Sequence, residues 1–252
     1  MKIESTSSAS TRLLKGRIRN LRKTRRNQDF FFSAADRARM GATAIAAGLG
    51  GLGGVATGLS GMAMDTTEEA DLLEFDLDGE AIRAWVWRSV FSEDDEVQVV
   101  AEWTETHWQG YGLYRPSDAI VALHPHCSRG RYAHYRAAFS IYLKCMIPLI
   151  IADFGMLFIA GYSMDGSKSL MVLWSALPTI MVGVLAASAI YGFIAYRVTR
   201  KMMGFVKLAE GIFEGFGWCN VKFIDLPAIT KKNKKPGDPA VLGVLYFRYH
   251  DE

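Results

Sequence analysis

The sequence predicts an α+β membrane protein: a two-helix transmembrane hairpin joined to a small antiparallel β-barrel of the OB type, or a sandwich, on the cytoplasmic side. Three observations carry this. Two apolar runs lie back to back, from Phe139 to Tyr162 and from Leu170 to Tyr196, each long enough for a ~30 Å hydrocarbon core at ~1.5 Å per residue. Basic clusters stand at their outer ends, "RGRYAHYR" before the first and "RVTRK" after the second, whereas the turn between them offers only Lys168. Short alternating runs with turn residues between them fill the stretch before the hairpin.

Composition agrees. Half of the 252 residues are hydrophobic, and the formal charge of +3 conceals a basic stretch from Arg12 to Arg39 and an acidic one from Asp65 to Glu105. The three cysteines, Cys127, Cys145 and Cys219, are odd in number and far apart, which suggests no disulfide framework and a reducing compartment. No apolar core of a secretory signal occurs among the opening residues.

Along the chain, residues 1–11 are Ser/Thr-rich and expected to be disordered. Residues 12–37 form a basic strand segment that joins the β domain. Residues 38–64 are a Gly/Ala-rich apolar insertion, and the β domain occupies 65–130. There "DLLEFDLDGEAIRAWVWRSV" reads as a hairpin, with Leu73, Phe75 and Leu77 alternating with acids, Asp78-Gly79 as the turn, and Ile82, Ala84 and Val86 continuing. "EVQVVAEW", "WQGYGLYR" and "AIVALHP" supply further strands. The transmembrane hairpin covers 131–197, with spans at about 139–162 and 170–196. Residues 198–217 predict an amphipathic helix with Val198, Met202, Phe205, Ala209, Ile212 and Phe216 on one stripe. In 218–252, "NVKFIDLPAI" and "AVLGVLYFRY" read as two C-terminal strands.

The insertion "MGATAIAAGLGGLGGVATGLSGMAM" is too short for two spans, and one span would put the two basic flanks on opposite sides of the membrane. A non-spanning segment or shallow hairpin is therefore expected. Gly48, Gly51, Gly54 and Gly58 suit close helix contact, although a flexible apolar linker fits them equally. Gly48, Gly50 and Gly53 fit G-x-G-x-x-G, with Glu68 downstream, but "ATAIAA" is a poor strand and more glycines stand where a helix should propagate.

Chemistry has no clear carrier. His124, His126 and Cys127 hold metal-binding side chains, but neither C-x-x-C nor H-E-x-x-H accompanies them, so no metal or other cofactor is expected. Neither a G-x-S-x-G elbow nor a Walker lysine motif appears, and the protein reads as a non-enzyme with no nucleic-acid partner. Asp153 is the residue of interest. A carboxylate near mid-membrane costs at least ~2.5 kcal/mol and points to a bundle interior or a water path. Ser175, Thr179 and Ser188 are its candidate partners on the second helix. Gly183/Ala187 and Ser188/Gly192 form small-xxx-small pairs, so an oligomer interface is expected around Asp153, Gly183, Ala187, Ser188 and Gly192. Arg197, Arg200, Lys201, Lys231, Lys232, Lys234 and Lys235 are the candidates for lipid headgroups.

The segments "LLKGRIRNLRKTR", "EEADLLEFDLDGEAIRAWVWRSVF", "RPSDAIVALHPHCSRGRYAHYR" and "LAEGIFEGFGWCNVKFIDLPAITKKNKKPGDPAVLGVLYFRY" resemble a bacterial family described as type VI secretion system effectors. The resemblance covers nearly the whole chain outside the variable spans and brings no catalytic residues with it. Together with the glycine-rich segment, Asp153 and the small-residue faces, it points to an inner-membrane protein that acts on the membrane as a homo-oligomer, by a pore or ion leak, with a secretion-system or immunity partner. The alternative is a resident immunity or scaffold protein that presents its β domain to a partner.

Topology is the first prediction. Reporter fusions at Ser10 and Glu252 should both report cytoplasm and a fusion at Gly166 periplasm; opposite locations for the two chain ends would require a third span.

Overall fold

The computed structural model describes residues 11–29, 67–162 and 166–250, so the expectations for residues 1–10 and for the glycine-rich insertion with Gly48, Gly51, Gly54 and Gly58 lie outside the described residues. Among the described residues, six strands come first: β1 Arg12–Asp29, β2 Thr67–Leu77, β3 Glu80–Val86, β4 Glu96–Trp103, β5 Trp108–Arg115 and β6 Ile120–Leu123. Four described helices follow, α1 Arg131–Tyr162, α2 Gly166–Lys201, α3 Met203–Phe216 and α4 Leu226–Lys232, with a 3-10 turn at Val221–Phe223 and a two-residue β7, Phe247–Arg248, near the end. The chain divides into a barrel unit (1–128, 212–219 and 226–252) and a hairpin unit (129–211 and 220–225).

The barrel unit is organised by β1. Its first residues, Arg12–Arg17, pair with β4, and Ile18–Asp29 pair with β2, both antiparallel. Between the two ladders the strand bends at a register shift between Arg19 and Arg22, where Asn20 takes the left-handed conformation at φ 54°. Asparagine tolerates that region better than most residues. The amides released by the bulge are not orphaned: Asn20 and Leu21 donate to the two carboxylate oxygens of Glu93 at 2.7 and 3.0 Å. A parallel contact of β3 with β5, Ile82 opposite Trp108, closes the five strands into a barrel. The barrel is thus not purely antiparallel, as alternation alone had suggested.

The Asp78-Gly79 turn forms as expected, with φ of 50° and 93° and Leu77 opposite Glu80. These paired positive φ values match the right-handed twist of the flanking strands. Alternation then sends Leu73, Phe75, Leu77, Ile82, Ala84 and Val86 into one core with Ile18, Phe91, Val99 and Leu113. The opposed charge blocks of the sequence become neighbours in the β1–β2 ladder. Arg25 bridges Glu69 at 2.9 Å and Asp71 at 3.2 Å, and Arg19 reaches Asp94 at 2.6 Å. Arg115 binds Asp95 at 2.5 Å and Asp118 at 2.8 Å, and its guanidinium lies over the Phe91 ring.

The C-terminal region departs from expectation. "NVKFIDLPAI" forms the 3-10 turn and α4 instead of a strand, because Pro227 sits in the first helical turn, where its missing N–H costs nothing. Only Phe247–Arg248 of "AVLGVLYFRY" is strand, paired with β6. The hydroxyl of Thr230, fully buried, accepts from the Arg248 amide and donates to its carbonyl, at 3.1 and 3.2 Å. The amphipathic stripe also differs. Val198 is exposed and lies in α2, and the most buried residues of α3 are Val206, Ala209, Ile212 and Phe213. At the end of α3, Gly217 takes φ 81° as the C-terminal cap, and Trp218 folds back onto Phe213, Phe216 and Tyr249.

An acid-sensitive clasp closes this region. The two-armed hydrogen bond from Arg248 lowers the Asp238 carboxyl to about 2. The folded state therefore sheds this proton more readily than the unfolded chain, whose carboxyl titrates near ~3.9. The resulting stability is present above about pH 4 and lost as the pH falls through the folded value. Compared with wild type, Asp238→Asn should be less stable at about pH 6 and lose stability less steeply below about pH 4, as read from urea midpoints.

Candidate functional site

The hairpin unit carries the surface most in need of a partner. α1 and α2 are 32 and 36 residues long, about 48 and 54 Å at 1.5 Å per residue. Each contains a stretch long and apolar enough to cross a membrane. Almost none of that surface is covered: Phe139, Ile151, Phe158, Trp174, Leu185 and Phe193 are each 60% exposed or more. A core helix of a soluble protein would bury such residues at roughly 1.5–3 kcal/mol each.

The two helices are antiparallel and locked in register. The Tyr142 hydroxyl donates to the carbonyl of Ser188 at 3.0 Å, and His134 Nε2 lies 3.3 Å from the carbonyl of Thr199. Gly192 faces the Tyr142 ring, where an added Cβ would make only an ordinary contact with the phenol oxygen at 3.7 Å. Of the expected oligomer residues, Ser188 and Gly192 thus serve contact within the hairpin. Gly183 is open, with nothing within 4 Å of an added Cβ, and Ala187 is half-buried. Asp153 is half-buried and makes no hydrogen bond or ion pair among the described residues. No bond joins it to Thr179 or Ser188 there.

This register gathers the basic residues at one end. Arg129, Arg131 and Arg136 at the start of α1 stand beside Arg197, Arg200 and Lys201 at the end of α2. Arg197 lies over the ring of Phe193 and Arg200 over that of Tyr196. The lysines of 231–235 belong to the barrel unit. Lys231, Lys232 and Lys235 are exposed, whereas the ammonium of Lys234 donates to the carbonyl of Ala240 at 3.3 Å.

At the same end a strap closes over the start of α1, and sequence reasoning missed it. Residues 220–225 cross Gly130 so closely that an added Cβ would meet the Val221 carbonyl oxygen at 2.0 Å. Gly130 donates to the Ile224 carbonyl at 2.9 Å, and Tyr132 stacks on Phe223 with centroids 4.8 Å apart. Arg129 pairs with buried Asp225 at 3.1 Å. Buried Glu210 of α3 accepts from the Arg131 amide at 2.8 Å and its guanidinium at 3.1 Å. A signal for Glu210 existed: it is an acid on the face of α3 that carries Val206, Ala209 and Phe213, where a buried carboxylate demands a cation.

The histidine and cysteine cluster in the barrel unit disperses. His126 Nε2 lies 2.7 Å from Glu68 beside the Trp87 ring, and burial lowers the pKa of His124. Cys127 is 1% exposed and burial raises its thiol pKa, so it is inert as a nucleophile. Among the described residues, no three His, Cys, Asp or Glu side chains come together to hold a metal ion. One barrel cavity, about 890 Å³, is an open hollow lined by Asn20, Glu74, Asp76, Arg83, Glu93 and His107, with Glu93 already engaged by the bulge. In comparisons with protein families, characterised proteins and solved structures, no family model, protein or structure matches this chain.

The strap makes a direct prediction. Gly130→Val should prevent residues 220–225 from seating and speed tryptic cleavage after Lys222 by roughly tenfold or more, while the circular dichroism of the hairpin helices is retained.

Proposed function

We propose that this is an integral protein of the bacterial inner membrane, with both chain ends cytoplasmic and copies associating through their hairpins. The observation that carries the reading is the exposed apolar surface of α1 and α2. The gathering of basic residues at one end of the hairpin supports cytoplasmic placement of that end. The β1–β2 ladder adds support for an even number of crossings. Asp29 is opposite Thr67, so the segment between them leaves and returns at neighbouring strands, about 4.8 Å apart. The closure order β1–β2–β3–β5–β4, with β3 and β5 parallel, supports an OB-type barrel on the cytoplasmic side.

Its role is that of a resident scaffold or immunity protein, anchored by the hairpin and presenting the barrel to a protein partner. One observation favours a second reading, the type VI effector whose hairpins assemble into an ion leak. Asp153 has a half-buried carboxylate without a partner among the described residues, and lipid offers it no hydrogen bond. Both readings place Asp153 at a helix interface and differ over conduction. Regulated expression with and without the neighbouring genes separates them by growth and membrane potential. Toxicity relieved by a neighbour supports the effector, and protection from a neighbour's toxicity supports immunity.

Variants of Asp153 test association. Asp153→Leu should weaken the detergent-stable oligomer by about tenfold, and Asp153→Asn, which keeps most of the hydrogen bonding, should largely preserve it. A drop in ion leak in Asp153→Asn with the oligomer intact would favour the effector. An unchanged oligomer in both variants would remove Asp153 from the interface.

A further inference from the structure

β1 is paired on one side at a time: Arg12–Arg17 with β4, then Ile18–Asp29 with β2. At the bend the side away from β2 is still occupied. The loop before β4 bonds the backbone of Ile18 through Asp94 and Asp95, and Glu93 takes the amides of Asn20 and Leu21. From Arg22 to Asp29, nothing among the described residues bonds the backbone on that side. In an antiparallel ladder alternate residues turn both N–H and C=O away from their neighbour. This stretch therefore offers a row of donors and acceptors to one further strand.

The side chains of the edge specify that strand. Lys23 turns its ammonium to the Phe91 carbonyl and Arg25 holds Glu69 and Asp71. Arg22 and Arg26 are exposed and make no ion pair or side-chain hydrogen bond among the described residues. They share one face of the strand, about 13 Å apart at ~3.3 Å per residue. The strand that β1 already accepts on its other side is acidic, with Glu68, Glu69, Asp71, Glu74 and Asp76 in β2. Cross-strand neighbours lie closest, so the open edge favours the same chemistry. The chain's own next segment does not supply it, since residues 30–64 hold one acid, Asp36, against Arg37 and Arg39. A second β1 is disfavoured by its like charges.

We propose that the Arg22–Asp29 edge of β1 docks an acidic extended segment of a protein partner, which adds as a strand beside β1 and sets carboxylates against Arg22 and Arg26. Main-chain hydrogen bonds supply the affinity of such an added strand, and its alternate side chains supply the selectivity. A nucleic acid fits less well. Its phosphates accept from the N–H groups of the edge but leave the carbonyls unanswered, and the acids of β2 stand one strand further in. The proposal rests on the reading of a barrel presented to a protein partner, and it names the kind of segment that the barrel receives.

The test uses the full chain in detergent at low salt and labelled peptides of about eight residues, read by fluorescence anisotropy. A peptide alternating threonine and glutamate should bind about tenfold or more tighter than one alternating threonine and lysine. It should show the same margin over one alternating proline and glutamate, which keeps the acids but cannot form the ladder. Hydrogen exchange of the backbone at residues 22–27 should slow when the threonine–glutamate peptide is bound. Replacing Arg22 and Arg26 together by Gln should weaken binding by about fivefold, and replacing both by Lys should retain most of it. Equal binding of the proline and threonine peptides would overturn the added strand, and unchanged affinity in the Gln variant would overturn the arginines. An oligothymidylate of similar length that binds more tightly than the acidic peptide would assign the edge to nucleic acid instead. The expression experiment above reads the role separately. A Gln variant that has lost the peptide but still protects the cell refutes the edge as the docking surface and leaves the scaffold reading standing. Loss of both, with both kept in the Lys variant, supports the two together.

Discussion

β1 runs for 18 residues and belongs to two ladders, so every other barrel strand takes its position directly or indirectly from it. A strand can serve two neighbours in this way only if it bends, and bending releases backbone amides that must find acceptors. Glu93, in the loop before β4, supplies both acceptors with one carboxylate. Closure then follows from geometry. With β2 and β3 on one side and β4 and β5 on the other, the right-handed twist brings β3 alongside β5, and the sheet loses its free edges there.

The same strand resolves the charge asymmetry of the chain. A basic segment followed by an acidic one resembles two surfaces seeking different partners. In the ladder Arg25 meets Glu69 and Asp71, and beside it Arg19 meets Asp94 of the loop before β4. These pairs are largely exposed, so each adds at most about 1 kcal/mol. Their greater effect is on partner choice, since a basic β1 suits an acidic β2, while a slip by one residue would turn the core face outward.

In the hairpin unit, energy is concentrated at one end. The helices themselves present apolar surface that lipid can satisfy without specificity, and Tyr142 and His134 reach backbone carbonyls across them. At the basic end the interactions are directional. Glu210 and Asp225 are buried carboxylates whose guanidinium partners come from the start of α1, and Gly130 leaves room for the strap that carries Asp225. Breaking such a pair by removing one partner leaves an uncompensated charge, which is costlier than any exposed pair in the barrel. The arrangement fixes the start of α1 against the strap within the hairpin unit.

Much of this was legible in the sequence because it depends on local pattern. Alternation at Leu73, Phe75, Leu77, Ile82, Ala84 and Val86, the Asp78-Gly79 turn and the two long apolar runs each carry their own signal, and the strand residues are buried while the apolar helices stay exposed. Tertiary structure decided what depends on meetings between distant residues. It made β3 and β5 parallel neighbours, bonded the Tyr142 hydroxyl to the Ser188 carbonyl across the hairpin, and turned "NVKFIDLPAI" from an expected strand into a strap and a helix. Apolar periodicity records which face a residue turns inward, but it does not record which other segment will lie against it. Gly130 shows the difference: in sequence it is one glycine among 24, and its necessity appears only when the carbonyl of Val221, ninety-one positions later, lies where a Cβ would be.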